Sequence, residues 1–140
     1  MIKFDKVTKI YYPDSTVLQD ISFEIKEGEF VSIVGKSGAG KTTLTRLLLG
    51  LEEPTFGQVY FENTNIHTVN LSKLQTIRRK IGVVYQDYKL LPMKTVYENV
   101  AYVMEVEGKE NKEISGEVPK VLEVIGLRNK INNFPKELSG

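Results

Sequence analysis

The 140-residue sequence contains no cysteine and a single histidine. Without cysteine, disulfide frameworks, thiol catalysis and zinc–thiolate sites are all excluded. An excess of either charge is missing too. Nineteen Lys and Arg stand against 18 Asp and Glu, a formal net charge of +1, so no bulk field marks a polyelectrolyte partner such as nucleic acid. No apolar run approaches the roughly 20 residues needed to cross a bilayer. The most apolar region, 96–106, is interrupted by Glu98, Asn99 and Glu105. The stretch Met1-Ile2-Lys3-Phe4-Asp5 lacks the charged-then-apolar layout of a secretory signal. These absences lead to the expectation of a cytoplasmic chain that reaches a membrane only through a partner. What remains, with 41% hydrophobic and 26% charged residues, is the composition of a globular domain large enough to bury a core.

Against that plain background one stretch stands out. Gly35-Lys36-Ser37-Gly38-Ala39-Gly40-Lys41-Thr42 fits G-x-x-x-x-G-K-[ST] at every fixed position, the pattern of a phosphate-binding P-loop. Gly35, Gly38 and Gly40 allow backbone angles closed to residues with a Cβ and let amide N–H groups approach phosphate oxygens. Lys41 carries a mobile point charge to the β- and γ-phosphates, and the Thr42 hydroxyl is a ligand for Mg²⁺. Flanking segments agree. Phe30 to Val34 reads as a buried strand, and Thr43 to Gly50 reads as an apolar helix with its glycine cap. Strand, loop, helix is the order that aims a helix N-terminus at a phosphate. The expectation is a nucleoside triphosphate site.

Elsewhere, residues 2–11 and 17–25 alternate in hydrophobicity as half-buried strands do, with a turn at Tyr11-Tyr12-Pro13-Asp14-Ser15. Residues 52–57 read as a loop, 58–62 as a strand, and 71–80 as a short polar helix capped by Asn70 or Ser72. Ile81 to Tyr85 reads as a second buried strand beside the P-loop strand, running into Gln86-Asp87. A helix over 95–106 takes Thr95 as its cap and Glu98 as the capping-box partner. Residues 107–113 read as a charged linker. A further helix over 114–125 contains Pro119, which should kink or restart it, and 127–135 reads as a loop. His67 reads as a loop residue. The run Arg78-Arg79-Lys80 reads either as a contact for a partner or as a solvated helix end with favourable cations.

Four segments together resemble the nucleotide-binding subunit of ATP-binding cassette (ABC) transporters: the P-loop, Gln86 after an apolar strand, Leu138-Ser139-Gly140 as the start of an L-S-G-G-Q signature, and Tyr11 upstream. The resemblance runs from Ile2 to Gly140. It implies an α/β fold, a P-loop ABC-ATPase core with an N-terminal antiparallel β segment and a helical subdomain after the Gln86 loop. On that basis residues 1–86 form an incomplete nucleotide-binding core, and 87–140 hold the Gln86 loop and the helical subdomain. It also implies ATP and Mg²⁺ as ligands. Tyr11 would stack on adenine, Thr43 would bond the α-phosphate, and Gln86 would help ligate Mg²⁺, orient the attacking water and couple the site to a membrane subunit. Ser139 and Gly140 would close on the nucleotide of a second copy, two subunits sandwiching two ATP molecules. Residues 88–94 would form the coupling surface, and His67, which precedes Gln86, is not at the family's switch-histidine position.

Within the family, residues 78–91 and 95–101, with Gln86-Asp87, Lys89-Leu90-Leu91 and Met104-Glu105-Val106, resemble the subgroup that acts in bacterial cell division with an integral membrane partner. Tyr85 departs from the usual Phe. Lipoprotein- or macrolide-export ATPases, amino-acid importers, a soluble ABC protein acting on nucleic acid or ribosomes, and a kinase or GTPase sharing only the P-loop stand as alternatives. The resemblance further implies that the Mg²⁺-binding aspartate, catalytic glutamate and switch histidine lie beyond Gly140, with further parallel strands. The 140-residue chain is therefore expected to be weakly stable, to bind nucleotide poorly and to hydrolyse it negligibly.

Overall fold

Alternating apolar residues place two long strands side by side. Strand β1 (Ile2–Tyr11) pairs antiparallel with β2 (Ser15–Ile25), and Phe4 faces Phe23 across the ladder. Their rings stack with centroids 4.7 Å apart. Both strands carry irregularities where register shifts, and Lys6 and Asp20 adopt positive φ there. The amides involved are not left bare: Lys6 N–H donates to Ser22 Oγ at 2.9 Å and Asp20 N–H to Thr8 Oγ1 at 3.0 Å. Side-chain hydroxyls thus take the place of ladder acceptors at these exposed irregularities.

On its other edge β1 pairs antiparallel with β3 (Phe56–Phe61), which turns through Glu62 and Asn63 into the two-residue β4 (Thr64–Asn65). The sheet order is β2-β1-β3-β4. Helix α1 (Lys41–Leu48) and helix α2 (Leu71–Arg79) join this sheet. Phe4, Val7, Leu18, Leu47, Val59 and Ile66 form the buried cluster, with Leu44, Leu48 and Leu74 packed against it. Asn70 is the cap of α2: its side chain accepts from Lys73 N–H at 2.9 Å.

In this computed structural model, which describes residues 1–138, the chain divides into two units, Met1–Gly82 and Val83–Gly140. The second is helical. Helix α3 (Val96–Val106) begins with the capping box of Thr95 and Glu98, and α4 (Asn111–Val124) packs on it through Ile114, Val118 and Leu122. The first amides of α3, which have no intrahelical acceptor, are met by the loop that follows α4. Val96 N–H donates to Asn133 O at 2.8 Å and Tyr97 N–H to Ile131 O at 3.0 Å.

Three expectations need correction. Phe30–Val34 and Ile81–Tyr85 are not strands and are not buried: Phe30 is 97% exposed, Val34 86% and Val84 96%. A strand exists only where a neighbour supplies ladder bonds, and no strand among the described residues pairs with either run. Pro119 does not interrupt its helix, which spans Asn111–Val124 and takes in the end of the expected linker. Proline costs about 3 kcal/mol in a helix interior. Val118 and Leu122, both fully buried, hold the helix against that loss through apolar burial. The loop over 127–135 contains a 3-10 turn at Arg128–Lys130 and runs into another at Pro135–Glu137.

Candidate nucleotide site

Residues 35–40 form a loop that delivers the chain to α1 through Gly40, whose φ of 85° puts it in the left-handed region. A side chain there has no room either. A Cβ on Gly40 would lie 2.7 Å from Leu18 Cδ2 and 3.0 Å from Val17 O, so β2 backs directly onto the loop. Glycine meets both demands at once.

Helix α1 starts with no side-chain cap and no acidic residue in its first turn. Its leading N–H groups and the positive end of its dipole are therefore not neutralised by the helix itself, the electrostatic condition for binding an anion. Lys41 bends back over the loop, donating from Nζ to Gly35 O and Lys36 O at 2.8 Å each. Its ammonium is held at the mouth of the loop by weak neutral acceptors. Thr42 is exposed on the first turn, while Thr43 is buried at 8%. An exposed hydroxyl at the start of a helix, beside a cationic loop, suits Mg²⁺, which keeps most of its shell as water and nucleotide phosphate. Among the described residues no group of three or more His, Cys, Asp or Glu could hold a metal ion on its own.

Tyr11, the last residue of β1, sits in this same unit. Its hydroxyl donates to a Glu52 carboxylate oxygen and lies 3.4 Å from Thr43 Oγ1. Arg46 Nη1 donates to Glu52 Oε1 at 2.8 Å, and Lys9 Nζ stands 3.7 Å from Oε2. The Tyr11 hydrogen bond, followed by that of Arg46, holds the Glu52 carboxyl below its ordinary range despite burial. Lys9 also stands 5.1 Å from the centroid of the Tyr11 ring. The neighbouring Tyr12 is 97% exposed. Glu52 and Lys9 escape sequence reasoning because nothing periodic links a loop glutamate to a tyrosine so far upstream.

Gln86 belongs to the second unit and is exposed. It begins a tight turn in which Tyr88 N–H donates to Tyr85 O at 3.1 Å, and Tyr88 and Lys89 both take positive φ. Lys89 pairs with Asp87 at 2.6 Å and lowers its pKa. The stretch that follows is anchored by Asn99 of α3, which accepts from Leu91 N–H at 2.8 Å and donates to Leu91 O at 3.1 Å and Lys94 O at 3.0 Å. Tyr88, Leu90 and Met93 remain exposed. Ser139 and Gly140 lie outside the described residues.

Three further residues have specific places. Arg78 is partly buried and engaged within the chain: its guanidinium donates to Leu49 O at 2.7 Å and Gly50 O at 3.0 Å, at the far end of α1. Lys80 pairs with Glu62 at 2.6 Å. His67 lies in the turn after β4. Its Nε2 is buried without a hydrogen-bond partner, and burial lowers its pKa, favouring the neutral ring.

These features define a P-loop cassette, and comparison with known proteins agrees. The ABC transporter family model matches residues 18–140, and the chain belongs to the ABC transporter family. It is similar to the cell division ATP-binding protein FtsE of Mycobacterium tuberculosis, 45% identical over all of this chain and 61% of that protein. It is also similar to the methionine import ATP-binding protein MetN of Helicobacter pylori, 37% identical over all of this chain and 43% of that one. The chain thus spans about three fifths of the FtsE relative's length. Among solved structures, a dimeric ATP-binding cassette in a post-hydrolysis state bound to ADP and Pi superposes with a TM-score of 0.88 at 35% identity, covering 99% of this chain and 63% of that one. The fold is that of the ABC ATPase core, with its N-terminal antiparallel sheet and its helices. No helix among the described residues is long and apolar enough to cross a membrane.

Proposed function

We propose that the chain is the ATP-binding part of an FtsE-like ABC ATPase, peripheral on the inner face of the plasma membrane through an FtsX-like integral membrane protein and active in bacterial cell division. The observation that carries the reading is the uncapped N-terminus of α1 with the Lys41 ammonium held over it. In that reading Lys41 exchanges the carbonyls of Gly35 and Lys36 for β- and γ-phosphate oxygens, a gain because a charged acceptor replaces neutral ones. The amides of Gly38, Ala39, Gly40 and Lys41, with those flanking Lys36 and Ser37, cradle the phosphates. Thr43 approaches the α-phosphate, and Tyr11 packs on adenine.

Thr42 and Gln86 would hold Mg²⁺ together with the nucleotide. The ion supplies charge neutralisation on the β- and γ-phosphates. Gln86 would orient the attacking water, and residues 88–94 would couple the site to the membrane subunit. ATP hydrolysis is the property of a homodimer that sandwiches two ATP molecules, with Ser139 and Gly140 of each copy closing on the other's γ-phosphate. Identity with MetN favours a second reading, an amino-acid importer ATPase. The partner distinguishes the two.

The binding claim is tested by amide chemical-shift titration of the 140-residue chain with Mg-ATP. Shifts should centre on residues 35–43 and disappear in Lys41→Ala. Unchanged ATP affinity in that variant would remove the reading. For the partner, affinity capture with the full-length protein should recover an FtsX-like membrane protein, and recovery of an importer permease instead would select the second reading.

A further inference from the structure

The Tyr11 ring is held more firmly than a surface tyrosine needs to be. Its hydroxyl is fixed by Glu52, whose carboxylate is in turn fixed by Arg46 at 2.8 Å and by Lys9 at 3.7 Å. Lys9 itself is tied down by a bond from Nζ to Glu53 O at 2.7 Å, and it covers the ring at 5.1 Å from the centroid. The Glu52 and Lys9 side chains are only 19% and 15% exposed, so solvent and salt screen their interaction less than they would an open pair. The same phenol oxygen lies 3.4 Å from Thr43 Oγ1, on the first turn of the phosphate-binding helix. Ring and phosphate cradle are therefore parts of one connected hydrogen-bonded assembly.

We propose that Glu52 is a positioning residue for the nucleotide base, fixing the Tyr11 ring, with Lys9 and Arg46, at a set place relative to the P-loop. This rests on the reading of residues 35–43 as the ATP site. Glu52 touches no nucleotide atom in this account. It acts by ordering the ring before the base arrives, so that less side-chain freedom is lost on stacking. Its removal should therefore weaken binding of a nucleotide and leave binding of its phosphates alone unchanged.

The test compares Mg-ATP with Mg-tripolyphosphate, which has the phosphate chain and no base, on the 140-residue chain by chemical-shift titration. Glu52→Ala and Tyr11→Phe should each weaken ATP about 3- to 10-fold and change tripolyphosphate less than about 2-fold. The double variant should lose no more than either single one, because both remove the same bond. Glu52→Gln, which keeps an acceptor for the phenol, should recover part of the loss. Equal weakening of ATP and tripolyphosphate would mean damage to the cradle, and unchanged ATP affinity in Tyr11→Phe would mean the hydroxyl anchor is idle. Either result overturns the proposal, and Tyr11→Phe decides it even where Glu52→Ala fails to fold. A wild-type chain that binds tripolyphosphate as tightly as ATP overturns the base platform alone. One that binds neither overturns the site reading and this inference with it.

Discussion

Arg78 offers the sharpest test of how the P-loop helix is held. Helix α1 ends in a Schellman pattern: Gly50 N–H donates to Leu47 O at 3.0 Å and Leu51 N–H to Arg46 O at 2.9 Å, with Gly50 at φ 60°. The carbonyls of Leu49 and Gly50 lie past that closure and receive the guanidinium of Arg78 instead, at 2.7 and 3.0 Å. Each such bond with a charged donor is worth about 1.5–3 kcal/mol when well shielded. This site is only partly buried, and water can replace part of the loss, so the pair together with the cation at a helix C-terminus should supply about 2 kcal/mol. Arg78→Ala would remove all of it. Arg78→Lys would keep the charge and lose the planar fork, retaining about half. In urea titrations followed on the amide resonances of α1, a loss of about 2 kcal/mol at a slope near ~2 kcal/mol per M moves the midpoint down by about 1 M. A shift below about 0.2 M, or Lys and Ala variants that behave alike, would refute the argument that Arg78 caps α1 through its fork.

Two other perturbations probe the turns at either end of the chain's chemistry. Gly40→Ala forces a Cβ to within 2.7 Å of Leu18 Cδ2 at a φ of 85°, so it should lose ATP-dependent shifts and about 1–3 kcal/mol of stability, read by titration and thermal melting. Thr95→Ala should cost the α3 cap about 1 kcal/mol, read by urea unfolding. The cap also carries a pH signature. Glu98 is held down to about 2, first by the Thr95 backbone N–H and then by Lys94. A carboxylate depressed in the folded state stabilises it above the unfolded value of 4.5, and that contribution fades as pH falls from there towards 2. The unfolding midpoint should therefore drop across that window and flatten in Glu98→Gln.

The elements that the sequence makes legible are those whose partners are close in the chain. The P-loop glycines, the Asn70 cap and the Thr95–Glu98 box each involve residues a few positions apart, and local spacing is sufficient to read them. Alternation identified β1 and β2 for the same reason, since one short turn joins them. The site's supporting shell was illegible because its bonds span distance. Tyr11 meets Thr43 and Glu52, and Arg78 reaches back to Leu49 and Gly50. No periodicity announces such pairs. Pro119 misled for a different reason: a local rule about proline was correct about its cost and silent about the buried face of α4 that offsets it.

The two apolar runs, 30–34 and 81–85, bring these points together. Each has the composition of a buried strand, yet neither has a ladder partner among the described residues, and Phe30, Val34 and Val84 stand open. Composition states which surface a segment is suited to bury, and pairing decides whether it does. The P-loop needs no such partner to take its shape. Gly40 is fixed from behind by Val17 and Leu18 of β2, and α1 is fixed at its far end by Arg78 of α2 and along its length by the cluster around Leu47. The loop over 35–40 and the start of α1 are thus held by the antiparallel sheet and by α2, both within Met1–Gly82. The same unit holds Tyr11, Thr43 and Glu52, so the tripolyphosphate comparison tests the proposed base and phosphate contacts apart from each other without reference to Gln86 or to any second copy.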